Sequence, residues 1–351
     1  MAIVGGGFGV RVALPCLRAA GFAVHALTSR RPGDVTAEAA AHGVPRVVER
    51  WQELLGDPSI DLMMIATPPG LHAEMAIEAL GSGHHLLCEK PLARSASEAR
   101  SILDAGQAAG TGVLQAVDHE LRFHPPFRKI RDIIAAGDIG AVRHVTAHYC
   151  TSTRVDPNIR WGWWDDVAAG GGQLNALGSH LVDTLRWWLD DEVVRATGAL
   201  HSFIDSRLGT DGIARPVTAD DYAAFTLTFS RSCEASVVVS AVDPTNAGLR
   251  VDVVGESGSL RLDGFDRLSI TRLGRGPCDL SQADPLEGQP VIGENPWRRA
   301  LVRYGTHLVD VLAGNAAFAG ATLDDGVQTQ MVIDAVRASA AGSRNEEISI
   351  A

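Results

Sequence analysis

The stretch Ala2-Ile3-Val4-Gly5-Gly6-Gly7-Phe8-Gly9-Val10-Arg11-Val12-Ala13-Leu14 decides the fold. Three apolar residues form a short strand, glycines follow at once, and Arg11 to Ala20 reads as a helix stopped by Gly21. Strand, glycine turn and helix in this order open a dinucleotide-binding β-α-β unit. Glycine at 5 permits the tight turn. Glycine at 7 lets the main chain approach a pyrophosphate resting on the N–H groups of the helix start. The third glycine of the fingerprint belongs at position 10, where Val10 stands, so Gly9 is expected to take over part of its packing role. A lone G-x-G is also compatible with a surface turn; its place between a first strand and a first helix favours the phosphate reading. Gly5, Gly7, Phe8, Gly9 and Val10 are the candidate pyrophosphate-binding residues.

The alternation continues outward. Strands are expected at Ala23–Leu27, Asp61–Ala66, His85–Cys88 and Gly112–Val117, and helices at Thr36–His42, Leu71–Leu80 and Ser95–Ala109. This spacing implies right-handed crossovers and a doubly wound parallel sheet over residues 1–121. After a helix at Pro126–Ala136 the period changes to two. Long alternating strands are expected at Val142–Cys150, Tyr222–Phe229, Cys233–Val242, Leu249–Val254 and Ser259–Leu262. A second, α+β domain over 122–351 is therefore expected, built on a large open, mostly antiparallel sheet. Gly274–Pro296 reads as a loop, with helices at Trp297–Ala313 and Asp324–Ala341.

Composition narrows the function. The 351 residues carry a formal net charge of -11, which disfavours nucleic-acid binding. No apolar run is long enough to span a membrane and no leader precedes Ala2, so a cytoplasmic protein is expected. Five scattered cysteines give no zinc spacing; reduced thiols and no metal site are expected.

At the end of the second strand stand Ser29, Arg30 and Arg31, where an NAD enzyme usually has an acidic residue for the ribose 2′-hydroxyl. Arginine suits a 2′-phosphate, so NADP is preferred over NAD, with two solvated arginines as the alternative. Glu89-Lys90-Pro91 ends a parallel strand, where ligands bind. Lys90 and Lys129 are the only lysines in an arginine-rich chain, and a partly buried ammonium at Lys90 suits proton handling. A structural pair with Glu89 is the alternative. Farther on, Gly170-Gly171-Gly172 leads into a helix with His180 and Asp183 one turn apart. Histidine is a natural acid/base where a carbinol becomes a carbonyl, although a lone helical histidine is often structural. Trp161 and Trp164 precede the glycine run and could stack on a sugar face, or equally pack in a core or interface.

Gly5-x-Gly7, Thr67-Pro68-Pro69 with His72, Glu89-Lys90-Pro91, and Gly178-Ser179-His180 with Asp183 occur in the order of the glucose–fructose oxidoreductase / inositol dehydrogenase family (Gfo/Idh/MocA), and the chain resembles it over essentially its whole length. The resemblance implies a Rossmann domain with an open-sheet second domain, NAD(P), and hydride transfer on a sugar, polyol or related substrate. It also implies a homodimer or homotetramer. It adds Thr67, Pro68, His72, Glu89 and Lys90 to the cofactor contacts. It assigns Lys90 and His180 to the reacting hydroxyl, and makes His119, Arg122 and Asn175 candidates for the substrate. Many members have an aspartate four residues before the histidine; here that position is Ala176. Two other readings stay open: a glycosidase that recycles its cofactor with no net redox, and a non-catalytic nucleotide-binding protein.

Overall fold

The computed structural model describes residues 1–29, 32–342 and 345–348. The chain divides into two compact units, Met1–His124 with Asp284–Val327, and Pro125–Ala283 with Gln328–Ala351. The expected cut at Leu121 misses one feature: residues 284–327 return to the first unit.

In the first unit, β1 (Ala2–Val4), β2 (Ala26–Thr28), β3 (Arg46–Val48), β4 (Leu62–Ile65), β5 (His85–Cys88) and β6 (Gln115–Val117) form a parallel sheet in the order β3-β2-β1-β4-β5-β6. The crossovers carry α1 (Leu14–Ala19), α2 (Thr36–Ala41), α3 (His72–Gly81) and α4 (Ala96–Ala109). Every residue of β4 is buried, as a parallel sheet covered on both faces requires. Ser95 caps α4 by accepting the Glu98 N–H. Strand order reverses between β1 and β4, which places the ligand crevice outside their carboxyl ends.

The second unit begins with α5 (Pro125–Ala135). Its strands are β7 (Val142–Cys150), β8 (Val193–His201), β11 (Tyr222–Phe229), β12 (Glu234–Ser240), β13 (Gly248–Gly255), β14 (Gly258–Asp263), β15 (Arg267–Arg272), β16 (Pro277–Asp279) and β17 (Glu346–Glu347), in one nine-stranded sheet. A small hairpin, β9 (Ser206–Leu208) with β10 (Ala214–Pro216), stands apart from it, and α6 (Ser179–Leu189) precedes β8. The sheet is antiparallel except for β7 beside β12. The sequence patterning misses β8 because Gly198 interrupts it. A methyl there would come within 2.7 Å of Val336 in α8 (Leu323–Gly342), so the glycine allows that helix to lie close on the strand.

The returning segment holds α7 (Pro296–Leu312), capped by the Asn295 side chain. Tyr304 donates its hydroxyl to Val117 O at 3.0 Å and stacks on Phe123 with ring centroids 4.6 Å apart. Gly305 lets α7 approach Ala20 and Leu17 beside α1. Among the described residues no helix is long and apolar enough to cross a membrane.

Candidate active site

Four carboxyl ends of the parallel strands hold the predicted cofactor and lysine motifs. After β1, Gly5 adopts φ +136° and donates its N–H to Thr28 O. A methyl at Gly5 would stand 2.2 Å from Ala66 O, so only glycine fits this turn. At Gly7 a methyl would meet nothing within 4 Å: the loop is open there, and a ligand could reach the main chain. The helix then starts with a π turn, Gly9–Ala13, that continues directly into α1. A methyl at Gly9 would press within 2.8 Å of Ile3 and 3.2 Å of Ala66, so Gly9 performs the close helix–strand packing expected of the third glycine. Val10 is buried in the core. Phe8 is exposed. These features fit a dinucleotide: a turn that requires glycine, an open main-chain surface at Gly7, and a helix start behind it.

Ser29, after β2, sits beside this loop, its Oγ 2.8 Å from where a Gly6 methyl would lie. Arg30 and Arg31 lie outside the described residues. After β4, Thr67 donates its hydroxyl to the Met75 sulfur. His72 is fully buried; Nε2 lies 2.8 Å from Thr67 O and Nδ1 3.1 Å from Pro91 O. Expected as a cofactor contact, it instead lies between the loops after β4 and β5 with each ring nitrogen facing a carbonyl oxygen, to one of which the neutral ring donates. Burial pushes its pKa down.

Lys90 follows β5 and is half-buried. Glu89 is buried, and its Oε2 accepts the Lys90 main-chain N–H at 3.2 Å. Asp118 and Glu120, after β6, complete a cluster of three buried carboxyl groups around one lysine. Burial lowers the Lys90 pKa, while Glu89, Glu120 and Asp118 pull it back up. Burial raises Glu89, opposed by Lys90. Burial also raises Asp118 well above the usual carboxylate range, and the charges of Glu89 and Glu120 add to this. Neither Asp118 nor Glu120 was singled out from the sequence. Each could have been flagged only by noticing that β5 and β6 are neighbours and end at the same edge. His119 is buried beside them. Arg122, a substrate candidate, is buried in a two-pronged ion pair with Asp325 at 3.0 and 3.2 Å. Asp325 also forms a reciprocal helix cap with Thr322, so Arg122 anchors the start of α8.

In the second unit, His180 is buried in the first turn of α6, directly after a π turn at Leu174–Gly178. The helix after the glycine turn and the helix of His180 thus each open with a π turn, a feature that recurs at functional sites. Asn175, offered as a substrate contact, has its amide committed: Nδ2 donates to Gly170 O and Gly171 O, and Oδ1 accepts from Arg337. Asp220 caps the same helix by accepting the Leu174 N–H at 2.8 Å, and burial raises its pKa to about 6. A methyl at Gly172 would lie 2.2 Å from the Asp220 carboxylate, and one at Gly171 would lie 2.5 Å from Trp164 O, so the glycine run is pinned between them. Trp161 donates Nε1–H to Pro216 O and carries Arg215 over its ring, which docks it on the β9–β10 hairpin. Trp163 and Trp164 lie ring against ring, with Trp164 exposed. The buried Asp165 beneath them pairs with Arg154 at 2.5 Å and Arg207 at 3.2 Å.

The five cysteines are free, and burial pushes the Cys16 thiol up to about 12 and Cys88 well above its ordinary value. Cys16 and Cys88 are therefore poor nucleophiles.

A parallel sheet with this strand order, a glycine turn after β1 and a lysine–carboxyl cluster after β5 and β6 define a Rossmann-type, dinucleotide-binding oxidoreductase. The chain belongs to the Gfo/Idh/MocA family: residues 1–118 match the oxidoreductase family, NAD-binding Rossmann fold, and residues 127–261 match the GFO/IDH/MocA C-terminal domain. It is similar to glucose-fructose oxidoreductase domain-containing protein 2 of Xenopus laevis, 28% identical over 96% of this chain and 90% of that one. It is 34% identical to 1,5-anhydro-D-fructose reductase of Ensifer adhaerens over 56% of this chain and 57% of that one. Among solved structures, levoglucosan dehydrogenase in complex with NADH and levoglucosan shares the fold, with a TM-score of 0.87 at 23% identity over 99% of this chain and 98% of that one.

Proposed function

We propose that the protein is an NADP-preferring dehydrogenase or reductase of a sugar, polyol or related carbonyl compound. The observation that carries this is one sheet edge with the open glycine turn after β1 and the Lys90 cluster after β5 and β6. The names of the 1,5-anhydro-D-fructose reductase and levoglucosan dehydrogenase relatives support a carbohydrate-like substrate. Gly5, Gly7, Gly9 and Ser29 would hold the dinucleotide, with Arg30 and Arg31 on a 2′-phosphate. The nicotinamide, when bound, supplies the two-electron hydride chemistry. The residues of this chain manage the proton. Lys90, its pKa lowered by burial, would hydrogen-bond the reacting oxygen and help take or return its proton, and His180 would serve as the acid/base. Localisation in the cytoplasm and assembly as a homodimer or homotetramer belong to the same proposal; fractionation of expressing cells and analytical ultracentrifugation test these two points.

The experiment is a parallel titration with NADPH and NADH, followed by turnover on a panel of sugars and polyols by wild type, Lys90→Ala and His180→Ala. The reading expects tighter NADPH binding, and variants that bind the dinucleotide but lose turnover by at least about a hundredfold. Full activity in both variants refutes the assigned roles.

A further inference from the structure

Glu89 and Asp118 follow neighbouring parallel strands, where the Asp118 main-chain N–H donates to Cys88 O at 2.8 Å, so the two buried residues stand side by side and the charge of each bears on the other. Yet Glu89 Oε1 and both Asp118 oxygens meet no donor among the described residues. Two ionised carboxylates are acceptors only and repel; a hydrogen bond between them needs one proton on one of them. The surroundings set the same requirement. If every group were ionised, Glu89, Asp118 and Glu120 would place three negative charges against the single positive charge of Lys90. Asp118 is 1% exposed, and Arg122, the nearest arginine in sequence, is ion-paired with Asp325. Burying two unneutralised charges costs far more than keeping one proton.

We propose that Asp118 is protonated in the resting protein and donates its O–H to the Glu89 carboxylate, so that the pair presents one negative charge to Lys90 rather than two. Asp118 is then a positioning residue. It acts through Glu89 on the charge state of Lys90, without touching the substrate. The assignment of the proton follows from place: Glu89 accepts the Lys90 N–H at Oε2 and is 9% exposed as a residue, whereas Asp118 is enclosed more completely. The other groups whose charge bears on the cluster are Glu120, His72 and the thiols of Cys16 and Cys88. The buried thiols stay neutral and add no competing charge. His119 adjoins the cluster in sequence. The consequence for turnover rests on the reading of Lys90 given above; the protonation state does not.

The test uses the full chain without cofactor or substrate. Infrared difference spectra across the pH range detect the C=O stretch of a protonated carboxylic acid, which a carboxylate lacks. The wild type is expected to keep such a band above neutral pH, and Asp118→Asn to lose it. The two lysines of the chain give a second readout. In isotope-labelled lysine NMR, with Lys129→Arg for assignment, the Lys90 signal is expected to follow one ionisation more in the wild type than in Asp118→Asn, whose amide donates permanently. Absence of an acid band above neutral pH in the wild type, or an unchanged band in Asp118→Asn, overturns the proposal. So does a Lys90 titration identical in both proteins. The wild-type spectrum alone decides the matter if the variant does not fold. A retained acid band together with full turnover in Lys90→Ala would leave this inference standing and remove the catalytic reading.

Discussion

Gly5 and Gly7 stand two residues apart in one loop, and alanine at each should produce opposite failures. At Gly5 the main chain has φ +136°, and the new methyl would lie 2.2 Å from Ala66 O and 2.6 Å from Ala66 C. Both are main-chain atoms at the end of β4 and cannot rotate away. Forcing a non-glycine residue into such a conformation costs about 1–3 kcal/mol. Overpacking against fixed atoms costs about 1–3 kcal/mol more. The sum, about 2–6 kcal/mol, is a large part of the roughly 5–15 kcal/mol that holds a typical domain together. At Gly7 the methyl meets nothing within 4 Å, so the folded state should change by about 0.5 kcal/mol or less. The open space it enters is the space we assign to the pyrophosphate. Urea denaturation and calorimetric titration with NADPH separate the two effects. Gly5→Ala should unfold at clearly lower denaturant. Gly7→Ala should unfold with the wild type but bind the dinucleotide about tenfold or more weakly, a loss of about 1.4 kcal/mol. Equal denaturation midpoints for the two variants would refute the packing argument, and wild-type affinity in Gly7→Ala would refute the placement of the phosphate.

Two further outcomes are expected. Asp220 has its pKa raised by burial from 3.8 to about 6, so the folded state holds the proton more tightly than the unfolded chain. Stability is therefore lost as pH rises from the unfolded value through the folded one, by at most about 3 kcal/mol. Asp220→Asn keeps an acceptor for the Leu174 N–H, so its stability should exceed that of the wild type at about pH 8 and match it or fall short at about pH 4. Denaturation curves at the two pH values test this, and a gap independent of pH would refute it. Replacing Arg30 and Arg31 together by alanine should weaken NADPH far more than NADH in the same calorimetric titration; equal weakening removes the 2′-phosphate argument.

Much of the molecule was legible from local pattern. The short apolar runs and glycine stops located five of the six parallel strands, all but Arg46–Val48, because a residue's periodicity and turn chemistry act over a few neighbours. The strand His85–Cys88 and the long strands Val142–Cys150 and Tyr222–Phe229 have the expected bounds. The close-packing glycine at position 9 was legible for the same reason. Other features depend on which distant segments meet. The strand Ala23–Leu27 shortens to Ala26–Thr28, and the first helix opens as a π turn. The loop expected at Gly274–Pro296 contains β16.

The amino-acid sequence by itself determined the class of fold, the glycine turn after β1 and the place of Lys90 and His180 in the chain, all through chemistry written within some ten residues. Only the tertiary structure decided that β12 runs parallel to β7, that α7 returns to the first unit, and that Arg122 is committed to Asp325 across 203 residues. It alone set His72 between two loops and brought Asp118 beside Glu89. The reason is physical: burial and charge pairing are properties of atoms close in space. A polar residue's partner is set by which strands end side by side, and no local period records that.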